Sequence, residues 1–348
     1  MRYQTFGRLT GLRVSQYVLG TATFSTSDAG AGPEGSRQIF DAFVAAGGTT
    51  FDTSNLYQDG QAETVLGGLL GQQRDDFVII TKYSGSRQAE PRPGTTGNSR
   101  KVMIRSLEAS LRRLNTDHVD VFMPHFPDGV TPIEEILAGF DDLIRSGKIL
   151  HGALSNFPAW RIAGAAVHAD LRGLAPVVGI QTEYSLAERS AERELLPMAA
   201  AHGLGVVLYS PLAGGLLTGK YRRGEQGRLT VRGDAIESTA QRTAIVDAVL
   251  TIADELGVSA VQVSLAWLRR RAALATTALI PIVGPRTPAQ LDEYLRSLHL
   301  ELGDQHYRHL DEVSAIRPGA PHENVAAALE HGSDGDRTVL GPPPVPVR

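Results

Sequence analysis

Eight short, apolar, β-rich runs, each followed by a longer amphipathic run, predict an α/β chain of the (β/α)8, or TIM-barrel, class, with an N-terminal β-hairpin and a C-terminal extension. Two further observations support this class. The strand runs are apolar almost throughout, as parallel strands buried on both faces must be. A doubly wound dinucleotide-binding sheet is the rival, but no G-x-G-x-x-G follows the first run: "LGTATFSTSDAG" has the wrong spacing.

Taken in order, "MRYQTFGRLTGLRVSQ" places a turn at Thr10-Gly11 between short β-like runs and is expected to form a hairpin capping the barrel bottom. "YVLGTA" (17–22) then pairs with "SRQIFDAFVAAG" (36–47), "TTFDT" with "AETVLGGLLG", and "DFVIITK" (76–82) with "RKVMIRSLEASLRRL" (100–114). "HVDVFM" (118–123) precedes "IEEILAGFDDLIRSG" (133–147), "ILHGALS" precedes "AWRIAGAAVHA", and "VVGIQT" precedes "ERELLPMAAAHG". "GVVLYS" leads through a long loop to "TAIVDAVLTIADELG" (243–257), and "ALIPIVG" precedes "TPAQLDEYLRSL". On the helix over 100–114, Ile104, Leu107, Leu111 and Leu114 are expected to form the buried stripe. Long loops at 83–99 and 211–238 follow strands, which places both on the C-terminal face where barrel sites assemble. Residues 1–316 are expected as the barrel domain. Residues 317–348, ending in "LGPPPVPVR", are expected as an irregular proline-rich tail, mobile or lying over the barrel mouth.

Composition narrows the functions. Of 348 residues, 42% are apolar and 21% charged, as in folded proteins, and a net charge of −4 without a long basic run excludes nucleic acid as a partner. The absence of cysteine excludes disulfides, cysteine nucleophiles and thiolate metal sites. "MRYQTFGRLTGLRV" lacks the apolar core of a secretory signal, and no apolar run is long enough to span a membrane. A cytoplasmic protein with no membrane partner is expected. Nothing in the sequence indicates an oligomeric state.

If the strands close, the polar residues at their C-terminal ends converge: Asp52, with Tyr57 on the loop behind it, Lys82, His125, Ser155 and Asn156, Gln181, and Tyr209 and Ser210. A phenol with an ordinary pKa of about 10 is a feeble acid near neutrality. A neighbouring ammonium favours the phenolate and makes proton transfer useful. Lys82 can supply that charge, Asp52 can hold the lysine protonated, and His125 can orient a substrate oxygen towards Tyr57. Singly, each residue has a plainer explanation: a turn or cap aspartate, a packing tyrosine, a solvated lysine, an incidental histidine. At successive strand ends they form a set that polarises and protonates a carbonyl. No H-x-H or H-E-x-x-H pattern points to a metal, which argues against a metal-dependent hydrolase on the same barrel.

The segments "GLRVSQYVLGTATF", "FDTSNLYQDGQAE", "VIITKY", "SLEASLRRLNTDHVDVFMPHFPD", "LIRSGKILHGALSNF", "IQTEYSLAER", "YSPLAGGLLTGKY" and "PIVGPRTPAQLDE", in this order, resemble the aldo-keto reductase family. The resemblance runs from Phe6 to about Leu298 and implies the catalytic tetrad Asp52, Tyr57, Lys82 and His125. It implies reduction of a small-molecule aldehyde or ketone by hydride transfer from a nicotinamide cofactor bound without a Rossmann domain. Ser155, Asn156 and Gln181 match the carboxamide partners, and Tyr209 matches the aromatic under the ring. Ser210, Pro211, Leu212, Gly214, Leu217 and Lys220 lie in the loop implied to close over the pyrophosphate. Gly20, Thr21, Ala22 and Asp52, and Gly284, Arg286, Gln290 and Glu293 at the last strand, complete the implied cofactor set.

Arg286 suits a 2′-phosphate, so NADP(H) is expected rather than NAD(H). The sequence departs from the family at Gln290, where some branches carry a basic residue, and at Tyr294, in place of a common asparagine. In "MPHFPD", Phe126 replaces a basic residue, and Phe24, Tyr83 and Phe126 are expected to line the mouth of a partly apolar substrate pocket. The family also contains cofactor-sensing subunits of ion channels. A complete tetrad and the lack of an added N-terminal interaction segment favour the enzyme over that alternative.

Overall fold

The computed structural model describes residues 1–27, 30–86, 90–92 and 94–332. Residues 333–348, the end of the expected tail, lie outside the described residues, as do 87–89 and 93 in the first long loop. The chain folds as two compact units. The first comprises Met1–Thr182, Gly203–Tyr209 and Thr277–His299, and the second Glu183–His202, Ser210–Thr276 and the chain from Leu300 onward.

In the first unit β1 (Tyr3–Thr5) and β2 (Arg13–Ser15) form the expected antiparallel hairpin. Eight parallel strands follow: β3 (Val18–Gly20), β4 (Thr50–Asp52), β5 (Val78–Tyr83), β6 (Val119–Pro124), β7 (Ile149–Ser155), β8 (Val177–Glu183), β9 (Gly205–Tyr209) and β10 (Leu279–Val283). They pair in chain order, and β10 closes the barrel by pairing with both β9 and β3. Helices α1 (Gly32–Ala45), α2 (Gln61–Leu70), α3 (Arg100–Leu114), α4 (Ile133–Arg145) and α5 (Ala159–Arg172) alternate with the first strands. Helices α6 (Leu195–His202), α7 (Arg228–Arg232), α8 (Ala240–Leu256) and α9 (Ala260–Leu274) belong to the second unit, and α10 (Pro288–Arg296) to the first. The chain continues with α11 (Asp304–Val313) and α12 (His322–Gly332).

The two-residue alternation of strands decides which side chains reach the site. Val78 and Ile80 on β5, Val121 and Met123 on β6, Ala153 on β7, Val207 on β9, and Ile280 and Ile282 on β10 share one buried cluster. Continuing the same parity towards the C-terminal ends reaches Lys82, His125, Ser155, Tyr209 and Gly284. The other parity packs outward: Phe51 meets Phe40 and Phe43 of α1 at centroid distances of 5.1 and 5.5 Å, which leaves the next residue, Asp52, facing inward. Behind the strands, buried Glu63 of α2 accepts from Thr81 Oγ1 at 2.6 Å and pairs with Arg113 of α3 at 2.6 Å, tying both helices to β5.

On α3 the buried stripe is Met103, Leu107, Ser110, Leu111 and Leu114, while Ile104 is exposed. The expected stripe therefore begins one residue late, because Met103 and not Ile104 lies in line with Leu107 and Ser110. In the second unit, α9 was not expected from the strand-and-helix rhythm; Ser259 and Gln262 cap it reciprocally, and Trp267 is fully buried beneath the Arg189 guanidinium. Part of the segment expected as irregular chain is the helix α12, whose "NVAAALE" consists largely of good helix formers.

The floor of the barrel is Phe6. Its ring lies against Gly179 of β8 and Gly205 of β9, where an added Cβ would come within 2.5 and 2.6 Å of it. Gly179→Ala is therefore expected to destabilise the protein by about 1–3 kcal/mol through overpacking, measured by urea denaturation. An unchanged midpoint would show that Phe6 yields without cost.

Candidate active site

Lys82 is fully buried, and its ammonium donates to Asp52 Oδ1 at 2.6 Å, to the Thr53 carbonyl at 2.8 Å and to the Tyr57 hydroxyl at 3.4 Å. Gln181 Nε2 donates to the second carboxylate oxygen of Asp52 at 2.7 Å. The carboxylate thus faces two donors, and Lys82 three acceptors. Burial works against the charge of Lys82, but Asp52 and then Tyr57 outweigh it and raise its pKa.

Tyr57 stands on a turn whose next three residues, Gln58, Asp59 and Gly60, all have left-handed backbones (φ 50°, 56° and 89°). Two of them are not glycine, a strain of about 1–2 kcal/mol each. The Gln58 side chain partly offsets this by donating to the Ala22 carbonyl at 2.9 Å. That bond ties the turn to the end of β3, where Thr21 donates to the Asp52 carbonyl and Gly20 lies against Ile282 with no room for a Cβ.

His125 lies edge-on to Tyr57, with ring centroids 5.8 Å apart, and stacks on Phe126 at 4.6 Å. Burial, and secondarily the charge of Lys82, push its pKa down to about 3, so the ring is neutral at ordinary pH. Its main-chain N–H donates to the Tyr83 carbonyl and Ser84 Oγ, at 2.7 and 3.2 Å. Fully buried Asn98 reinforces this support: its Nδ2 donates to Ser84 Oγ at 2.7 Å and to the Phe126 carbonyl at 2.9 Å. Asp128, held at a pKa of about 2 because bonds from Thr131, Asn98 and Val130 outweigh its burial, completes the loop.

Asn156, itself left-handed (φ 61°), donates to the His125 carbonyl at 3.0 Å and to Ser155 Oγ at 3.1 Å, and accepts from the Tyr209 hydroxyl at 2.8 Å. Asp52, Tyr57, Lys82, His125, Ser155, Asn156, Gln181 and Tyr209 therefore form one continuous set of contacts within the first unit.

A family model described as the aldo/keto reductase family matches residues 17–315. The chain belongs to this family. It is 36% identical to an uncharacterized oxidoreductase, YrpG, of Bacillus subtilis over 90% of this chain and 96% of that protein. It is 33% identical to a Schizosaccharomyces pombe protein provisionally named a voltage-gated potassium channel subunit beta, over 91% of this chain and 94% of that one. An aryl-alcohol dehydrogenase [NADP(+)] of Phanerodontia chrysosporium is 30% identical over 83% of this chain and 78% of its own length.

The remaining expected residues follow β9 and β10. Gly284 and Arg286 are exposed, and the Arg286 main-chain N–H donates to Gln290 Oε1 at 2.8 Å. Its guanidinium makes no ion pair or hydrogen bond among the described residues. Gln290 and Glu293 are half-buried on α10. Within the second unit, Ser210, Ala213, Gly214 and Gly215 have left-handed backbones; Pro211, Leu212 and Leu217 are buried, and Lys220 is half-buried over the Tyr221 ring.

The substrate-pocket expectation needs correction for two of its three residues. Phe126 exposes 49% of its surface, but Phe24 and Tyr83 expose none. Tyr83 has the parity opposite to Lys82, stacks on Phe122 at 4.9 Å and donates to the Asn98 carbonyl at 3.3 Å, so it packs outside the lumen. Sequence reading also passed over Ser54, Ser84, Asn98 and the Thr53 carbonyl. Ser54 stood within a motif already singled out, whereas Asn98 sits in a loop with no periodic signal. Among the described residues, no helix is long and apolar enough to cross a membrane.

The neutral state of His125 has a thermodynamic consequence. Between pH 6.5, its ordinary pKa, and about 3, the unfolded chain binds a proton that the folded ring refuses. This contribution to stability is fully present above that window and is lost as pH falls through it. His125→Gln should therefore lose melting temperature less steeply than wild type on acidification. Equal slopes would show that the fold does not hold the imidazole neutral.

Proposed function

We propose that this oxidoreductase reduces an aldehyde or ketone to the alcohol, reversibly and with NADP(H), and that Tyr57 is the proton donor. The observation that carries the reading is the buried ammonium of Lys82, shared between a carboxylate and a phenol. As the carbonyl oxygen gains electron density, Tyr57 gives it a proton, and Lys82 stabilises the phenolate left behind. Asp52 and the Thr53 carbonyl keep Lys82 charged and aimed. Neutral His125 holds the substrate oxygen through an N–H, and the exposed ring of Phe126 offers an apolar surface for the rest of the molecule.

When bound, the reduced nicotinamide supplies the hydride. The residues present suit it: Ser155, Asn156 and Gln181 provide hydroxyl and amide groups for a carboxamide, and Tyr209 an aromatic face. Arg286, exposed and without a carboxylate partner among the described residues, suits a 2′-phosphate. Within the second unit, the left-handed run at Ala213–Gly215 presents backbone amides of the kind that bind anions. The relative named as an NADP(+) aryl-alcohol dehydrogenase agrees with the cofactor and with an apolar substrate.

Tyr57→Phe is expected to lower turnover by roughly 10²–10⁴, the usual worth of a general acid, while NADPH affinity by fluorescence titration stays near wild type. Substantial residual turnover would remove Tyr57 from the role. Arg286→Ala should raise the KM for NADPH by roughly tenfold or more, as loss of a charge-assisted bond does, and leave that for NADH unchanged; a wild-type preference for NADH would sink the NADP(H) assignment. The relative named for a channel subunit supports a second reading, a cofactor-binding regulatory protein. Tight NADPH binding with no oxidation across a broad carbonyl panel would favour it.

A further inference from the structure

Ser54 lies on the turn leaving β4, between Asp52 and Tyr57, and its side chain is fully buried. Its Oγ is 3.1 Å from His125 Nδ1 and 3.3 Å from the backbone nitrogen of Leu56. The Leu56 amide can only donate, so it occupies a lone pair of Oγ. One hydroxyl proton then remains to be given. Among the described residues its possible acceptors are Nδ1 and the Asn55 side-chain oxygen, and the latter, at 3.4 Å, is at the far limit of a hydrogen bond. The imidazole nitrogen is the nearer.

We propose that Ser54 donates to Nδ1 of His125, fixing the ring's proton on Nε2, and is thereby a positioning residue for carbonyl reduction. A neutral imidazole carries a single N–H, and the bond at one nitrogen decides where it sits. The opposite arrangement, with Nδ1–H donating to Ser54, leaves Nε2 as a bare lone pair that repels a carbonyl oxygen. The other contacts of His125 fix the ring's place and not its proton: its N–H and C=O are bound to Tyr83, Ser84 and Asn156, and its faces meet Tyr57 and Phe126. The inference rests on the reading of His125 as the donor to the substrate oxygen.

The test is nitrogen-15 NMR of the full-length, histidine-labelled protein at neutral pH, without cofactor or substrate. The sequence has 10 histidines, and the His125 signals are assigned by their loss in His125→Gln. Wild type should show an unprotonated Nδ1 and a protonated Nε2. In Ser54→Ala the two shifts should move towards each other as the second tautomer becomes populated, and kcat should fall about fivefold, the worth of one hydrogen bond, at unchanged NADPH affinity. Ser54→Thr, which keeps the hydroxyl, should retain the wild-type signature. A protonated Nδ1 in wild type, or identical shifts in wild type and Ser54→Ala, overturns the proposal. A shifted tautomer with unchanged kcat overturns its functional half. Full activity in His125→Gln would instead refute the reading of His125, and the two failures are separable because the tautomer is observed without turnover.

Discussion

An ammonium group withdrawn completely from water is the constraint around which this barrel is organised. Left unpaired, such a charge costs several kcal/mol and would shed its proton. Lys82 keeps it because Asp52, the Thr53 carbonyl and the Tyr57 hydroxyl all present oxygen to it. The requirement then spreads. Asp52 must sit inward at the end of β4, which Phe51 secures by packing outward, and its second oxygen needs the donor that Gln181 provides from β8. Tyr57 must come back towards β5, which the left-handed turn behind it allows.

The barrel makes these demands compatible. Residues on different strands meet because alternation carries each buried cluster upward into a polar ring, so one set of apolar side chains both fills the lumen and aims the chemistry above it. The supports around His125 are a second layer of the same design. Buried Asn98 and half-buried Asp128 join two loops by hydrogen bonds, and Asn156 links the histidine's main chain to Tyr209. The position of the imidazole is therefore set from several strands at once.

Much of this was legible in the sequence, for identifiable reasons. All eight barrel strands, and the meeting of Asp52, Tyr57, Lys82 and His125, could be read because a buried strand is written as an apolar run and the polar residues at its end as a break in that run. Tyr83 misled because a strand-end aromatic looks the same whichever face it takes, and parity becomes visible only once Lys82 is known to point inward. Ile104 misled by one position, since Met103 and Ile104 are equally apolar and only packing chooses between them. The Thr53 carbonyl belongs to the backbone and has no letter of its own. Asn98 works through partners in a distant loop that no local pattern announces. The division into two units was equally hidden, because each is assembled from separated segments of chain.

The bond between Gln181 and Asp52 also limits what kind of molecule can settle beside it. A carboxylate only accepts, so the nitrogen end of the glutamine amide must turn towards it, and the oxygen is left as the other end. Asn156 has both of its N–H groups engaged, by the His125 carbonyl and Ser155, and its oxygen accepts from the Tyr209 hydroxyl and keeps one further lone pair. A guest approaching Gln181 thus encounters a lone pair already oriented, and it must arrive carrying hydrogen on nitrogen or oxygen to be held there.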